Sequence, residues 1–209
     1  MHVRTLQLVL VTGAVALVAA PGAFGVGGLN LVQNGSAELG TVAPDDSSIV
    51  APTGWTTSGN FTAALYGASG LPGADATVAG GKALFAGGPS NASSTATQTV
   101  AVPSSWVKVV RAGRAKATIS AALGGWEGQG DAATVTYLFL DASGSSIGSA
   151  RIGPISAAQR GSVTKLLPVS KVISVPAGTR SVKVTIAAIR GSGSYNDGYA
   201  DNVSLRLST

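Results

Sequence analysis

The stretch Arg114-Ala115-Lys116-Ala117-Thr118-Ile119-Ser120-Ala121-Ala122-Leu123 decides the fold. Ala115, Ala117, Ile119, Ala121 and Leu123 fall on one side of an extended chain, with Lys116, Thr118 and Ser120 on the other. Period two marks a half-buried β-strand, because successive side chains point to opposite faces. The same period returns at Val182, Val184, Ile186 and Ala188, and again at Val203, Leu205 and Leu207. Between Ala133 and Asp141 both faces are partly apolar, Val135, Tyr137 and Phe139 on one and Leu138 and Leu140 on the other, which predicts a central strand. The turn residues Asp141-Ala142-Ser143-Gly144 then predict a hairpin, with 147–152 as its returning strand.

Further strands are expected at 29–32, 61–66, 82–86, 95–102 and 171–175. No helical period is sustained, so nothing supplies the crossovers of a parallel sheet. The expectation is an all-β chain, a two-sheet antiparallel β-sandwich of jelly-roll topology. Residues 67–81, rich in Gly, Ser and Pro, read as a long loop, which is usually a functional or mobile feature.

At the N-terminus, Arg4 precedes an apolar run from Leu6 to Ala20 and then the small residues Ala23 and Gly25. That order predicts a secretory signal peptide over 1–25 and a mature chain of 26–209, one domain in an extracellular, bacterial setting. The alternative is a retained anchor, which the run's length argues against, since a spanning helix needs ~20 apolar residues. No second apolar segment follows, so the mature chain is expected to have no membrane span. With no Cys among 209 residues, an exported fold has no disulfide to stabilise it and depends on its core or on a bound ion.

The chemistry available is narrow. The one His and the one Met are His2 and Met1, both in the expected leader. Without imidazole or thiol there is no Ser-His-Asp triad, no Cys-His pair, and no His- or Cys-based zinc or copper centre. A two-carboxylate glycosidase needs only acids, yet none of the nine is paired in a recognisable constellation, so no enzyme activity is expected. The formal charge of +5 loses one unit with Arg4. Lys108, Arg111, Arg114 and Lys116, interleaved with Val and Ala, read as solvated positions around a strand, and no nucleic-acid partner is expected.

Two end motifs carry a resemblance. They are Leu31-Val32-Gln33-Asn34-Gly35-Ser36-Ala37-Glu38 followed by Gly54-Trp55, and Gly198-Tyr199-Ala200-Asp201-Asn202-Val203-Ser204-Leu205. Together they resemble galactose-binding-like jelly-roll domains, in particular the CenC-type carbohydrate-binding modules of secreted bacterial proteins. The resemblance implies a carbohydrate or glycan partner. It also implies a structural Ca²⁺ where the first and last segments meet, with Glu38 and Asp201 as carboxylate ligands and Ser36 and Lys82 giving carbonyls. Oxygen donors alone suit Ca²⁺. The alternative is that Glu38 and Asp201 cap turns or pair with basic residues.

Two glycine-rich stretches remain. Trp126, Glu127, Gln129 and Asp131 form one, and Tyr195, Asn196, Asp197 and Tyr199 the other. An aromatic face beside amides and carboxylates is what a sugar site uses, so these eight residues are the candidate ligand patch. In the competing readings the acids form a second cation site, or Trp126 is a core plug. The rival function is a structural or surface-associated extracellular protein without a sugar ligand.

Overall fold

Alternation along the chain resolves into eleven strands among the described residues, 28–77 and 80–209 of the computed structural model. The expected leader, residues 1–25, lies outside the described residues. The elements are β1 (Ala43–Asp45), β2 (Thr56–Ser58), β3 (Thr62–Ser69), β4 (Ala83–Pro89), β5 (Ser93–Ala101), α1 (Ser104–Arg111), β6 (Lys116–Gly125), β7 (Ala132–Leu140), β8 (Ser146–Ile152), β9 (Lys165–Ser174), β10 (Ser181–Ile189) and β11 (Tyr195–Ser208).

Four antiparallel pairings are nested: β4 with β11, β5 with β10, β6 with β9 and β7 with β8. Nesting of this kind is one long hairpin rolled up. It distributes the strands over two sheets, ordered β1-β3-β4-β11-β6-β9 and β2-β5-β10-β7-β8. The fold is therefore a jelly-roll β-sandwich, as the period-two pattern implied. Only the short edge strand β1 runs parallel to its neighbour, β3.

The inward residues are the ones the alternation selected. Ala117, Ile119 and Leu123 of β6 meet Val182, Val184 and Ile186 of β10 and Tyr137 and Phe139 of β7 in one buried core. Tyr137 brings a hydroxyl into it and donates to the Ser204 carbonyl at 2.9 Å, which meets the need of a buried polar group for a partner. β7 lies between β10 and β8, as a strand apolar on both faces should. A second buried cluster covers the other face of the first sheet, where Leu84, Leu166 and Tyr199 pack under Ala43, Leu71 and Ala76.

The structure corrects several sequence readings. Ser104–Arg111 is a helix, where none was expected. Trp106, Val107 and Val109 pack beside fully buried Val110, and Gly113, in left-handed backbone, closes the helix end with its N–H on the Val110 carbonyl. Lys108 and Arg111 therefore ride on a helix rather than around a strand. Residues 29–32 form no strand but hydrogen-bond along β11 all the same, Leu31 N to Leu205 O at 2.9 Å. The expected loop 67–81 begins with the end of β3 and contains a short 3-10 turn at Ala74–Ala76.

The N-terminal segment lies against β11 so closely that a Cβ on Gly35 would stand 2.1 Å from the Val203 carbonyl oxygen. Gly35→Ala is expected to cost ~2 kcal/mol by forcing the two apart. Chemical denaturation should show the loss as a lower midpoint with an unchanged slope.

Candidate functional site

The first motif is a set of backbone ties. Asn34 sits in left-handed backbone, accepts from Leu39 N at 2.9 Å and donates to Thr53 O at 2.9 Å. Its own carbonyl accepts from the Trp55 indole at 3.2 Å, and that ring stands edge-on to Phe85. The Gly54-Trp55 pair and the Asn34-Gly35 turn are thus one structural unit. Glu38 follows on the surface. Its Oε1 accepts from Lys82 N at 2.7 Å and Ala83 N at 3.0 Å, which fixes the start of β4.

Asp201 is fully buried in β11, at a register shift. Its carboxylate accepts from the Tyr66 hydroxyl at 3.0 Å and from Asn202 N at 2.6 Å. Burial pushes its pKa up to about 7, and the charge of Glu38 adds to the rise. A buried carboxylate with a second one near is the kind of setting a hard divalent ion would take, with oxygen ligands. Lys82 gives its carbonyl to Tyr66 N at 2.9 Å, and Ser36 lines a shallow cleft with Asn202 and Ser204. The structure thus brings Glu38, Lys82 and Asp201 around Tyr66. Among the described residues there is no group of three or more His, Cys, Asp or Glu side chains able to hold a metal, so carbonyls would have to complete any shell.

The eight residues of the ligand patch do converge at one end of the sandwich. Asp131, 1% exposed, accepts from Gly191 N and Ser192 N on Oδ1 at 2.8 and 3.0 Å, and from Asp197 N on Oδ2 at 2.8 Å. Gln129 Oε1 accepts from the Ser192 hydroxyl at 3.3 Å. Gly191 crosses Gly130 so closely that a Cβ there would lie 2.7 Å from the Gly130 carbonyl carbon, so this crossing requires glycine.

Within the patch the roles divide. Asn196, Asp197 and Tyr199 are buried, and they belong to β11 rather than to a loop. Asn196 donates to Ala188 O, and the Tyr199 hydroxyl donates to Asp197. Desolvation raises the Asp197 pKa to about 6 despite that bond. With Asp131 they form the buried support of this end, and Trp126, Glu127, Gln129 and Tyr195 are its more exposed members. Glu127 is exposed and the other three half-buried. Trp126 packs against the cluster around Tyr199 and Leu166, so it is neither free on the surface nor a core plug. The Tyr195 hydroxyl is buried without a hydrogen-bond partner, and burial together with the charges of Asp197 and Asp46 pushes its pKa up.

Sequence reasoning missed Arg160. It is 3% exposed, and its guanidinium donates to the carbonyls of Trp126, Glu127, Gln129, Ile155 and Val163. Arg160 holds the patch's first stretch by its carbonyls, as Asp131 holds the second by its amides. Burial lowers its pKa from the ordinary arginine value, and the nearby charge of Asp131 opposes that shift. Ala157-Ala158-Gln159-Arg160-Gly161 reads as a polar surface loop, and only the tertiary fold shows the side chain turned inward.

The strand order defines the chain as a jelly-roll β-sandwich. The solved structures it resembles include carbohydrate-binding modules. One is the CBM22-1 xylan-binding domain of Paenibacillus barcinonensis Xyn10C, at 16% identity and TM-score 0.48, covering 87% of this chain and 96% of that one. Another is a family 16 carbohydrate-binding module, at 16% identity and TM-score 0.49, covering 84% and 99%. A third is the enzymatically active domain of bacteriophage CBA120 tailspike protein 4, at 20% identity and TM-score 0.49. It covers 86% of this chain, which spans only 21% of the tailspike domain's length. No protein-family model matches the sequence, and no curated protein matches it.

Proposed function

We propose that this chain is a secreted, non-catalytic protein of the carbohydrate-binding-module type, with a structural Ca²⁺ between Glu38 and Asp201. The observation that carries the glycan reading is the joining of the two glycine-rich stretches. The contacts of Asp131 and Gln129 with residues 191–197 join the stretch carrying Trp126, Glu127 and Gln129 to the one carrying Tyr195, and Trp126 and Tyr195 pack on the same buried cluster. A sugar offers a CH face for the aromatic rings and hydroxyls for the amide and carboxylate.

The bonds of the two buried patch acids support non-catalytic binding. Both Asp131 oxygens accept backbone N–H groups, and Asp197 holds Tyr199, so neither stands free on either side of a scissile bond. The glycan-array signal of residues 26–209 is expected to be lost in Trp126→Ala and to fall at least about tenfold in Glu127→Ala/Gln129→Ala. Since Trp126 is half-buried, its variant should also melt a few degrees lower, while the Glu127/Gln129 pair, which loses only the Ser192 bond, should melt closer to the parent. An array signal retained by both folded variants would remove the patch from glycan binding.

A further inference from the structure

We propose that the end of the sandwich formed by α1, the start of β6 and the end of β11 docks on an anionic phospholipid surface. The strand register assembles this end. Lys116 pairs with Ser208 and Ser174, and the next outward row is Arg206, Thr118 and Val172. α1 leads directly into it. Lys108 and Arg111, three apart and so on one helix face, join Arg114 and Lys116, all four exposed, and half-exposed Arg206. Of the acids, Asp141 stands at this end with its Oδ1 taken by Ser143 and Ser145, whereas Glu127, Asp131 and Asp197 stand at the opposite end.

Charge is not the only feature. Leu29, 82% exposed, and Val172, 62% exposed, are the two most exposed large apolar side chains among the described residues, and both lie in this basic cluster. Arg206 donates to the carbonyl of Gly28, next to Leu29, and Val172 shares the Arg206 row. Leu29 also lines a shallow apolar cleft with Leu31, Pro103, Trp106 and Leu207. Basic side chains around protruding apolar ones match a surface of anionic headgroups over acyl chains, where the apolar tips enter the interface and the cations stay at headgroup level.

The chain outside the described residues argues for the same occupant. It joins the domain at Gly28, on this end, and carries the apolar run from Leu6 to Ala20.

The test uses residues 26–209, which hold every strand of the sandwich, so that the apolar run plays no part. Sedimentation with phosphatidylglycerol/phosphatidylcholine vesicles is compared with sedimentation on phosphatidylcholine alone. Binding to the anionic vesicles only is expected, together with a blue shift of tryptophan emission that Trp106→Phe removes. It should weaken at least about tenfold in high salt, and about a hundredfold in Lys108→Glu/Arg111→Glu/Arg114→Glu. Leu29→Ser should weaken it at unchanged salt dependence. Melting curves establish that the variants fold. Equal binding to both vesicles, no binding to either, or no loss in the folded triple variant would overturn the proposal. Retention on an acidic polysaccharide without vesicle binding would also overturn it and assign the cluster to a soluble polyanion.

Discussion

Arg160→Ala is expected to lower stability by ~3 kcal/mol and to melt the mature domain about 6–12 °C below the parent. The guanidinium is buried and makes five hydrogen bonds, all to main-chain carbonyls and none to a carboxylate. Those carbonyls belong to 126–129, 155 and 163, outside the strands, where no ladder bonds satisfy them. Removing the fork takes the donor from several acceptors at once, and each one left buried without a partner costs ~1–3 kcal/mol. Arg160→Lys keeps the charge but offers one compact donor group in place of a planar fork, so an intermediate loss is expected. The same change frees the stretch carrying Trp126, so glycan retention should fall further than the melting shift accounts for. A variant melting within 2 °C of the parent would show that Arg160 clamps nothing.

Arg160 also marks where the sequence stops being informative. A strand face repeats every second residue, so Ala117-Thr118-Ile119 or Val182-Lys183-Val184 declares its inward side with no other knowledge. Three of the five carbonyls that hold Arg160 inward lie more than thirty positions away in sequence, and no local pattern carries that. The helix is an intermediate case. Pro103 ahead of it and Gly113 behind it are boundary signals, but Val107, Val109 and Val110 are β-branched and within so short a segment read equally well as strand. Core packing of Trp106 and Val110 decides it.

The patch residues show the same division. Composition picked out Trp126 to Asp131 and Tyr195 to Tyr199, and the fold brings the two stretches together. Which of them face outward was not legible, because Asp and Asn in a glycine-rich stretch serve equally as ligand contacts and as caps for loop amides. Asp131, with three backbone N–H groups on its two oxygens, takes the second role.

The buried carboxylate of Asp201 leads to the second large effect. Its pKa is raised from 3.8 to about 7, so between those values the folded protein keeps a proton that the unfolded chain releases. The folded state then binds more protons, and stability in the presence of a chelator is expected to fall as pH rises through that window, by ~1.4 kcal/mol per unit at most for this one group. Asp197, raised to about 6, adds to the fall over the lower part. Below 3.8 and above about 7 the contribution of Asp201 is flat. Calcium reverses the fall from above: it binds the ionised carboxylate, and at a hundredfold excess over its dissociation constant it adds about 2.7 kcal/mol, several degrees of melting temperature at pH 8. Asp201→Asn keeps an acceptor for Tyr66 and removes the charge. In chelator at pH 8 it should melt above the parent, with no response to calcium, and Glu38→Gln should lose the calcium response while keeping most of the pH dependence. Parent melting curves that coincide in calcium and in chelator at pH 8 would exclude the ion. A chelator series flat from pH 4 to 7 would show that the Asp201 carboxylate ionises without strain, its two hydrogen bonds outweighing its burial.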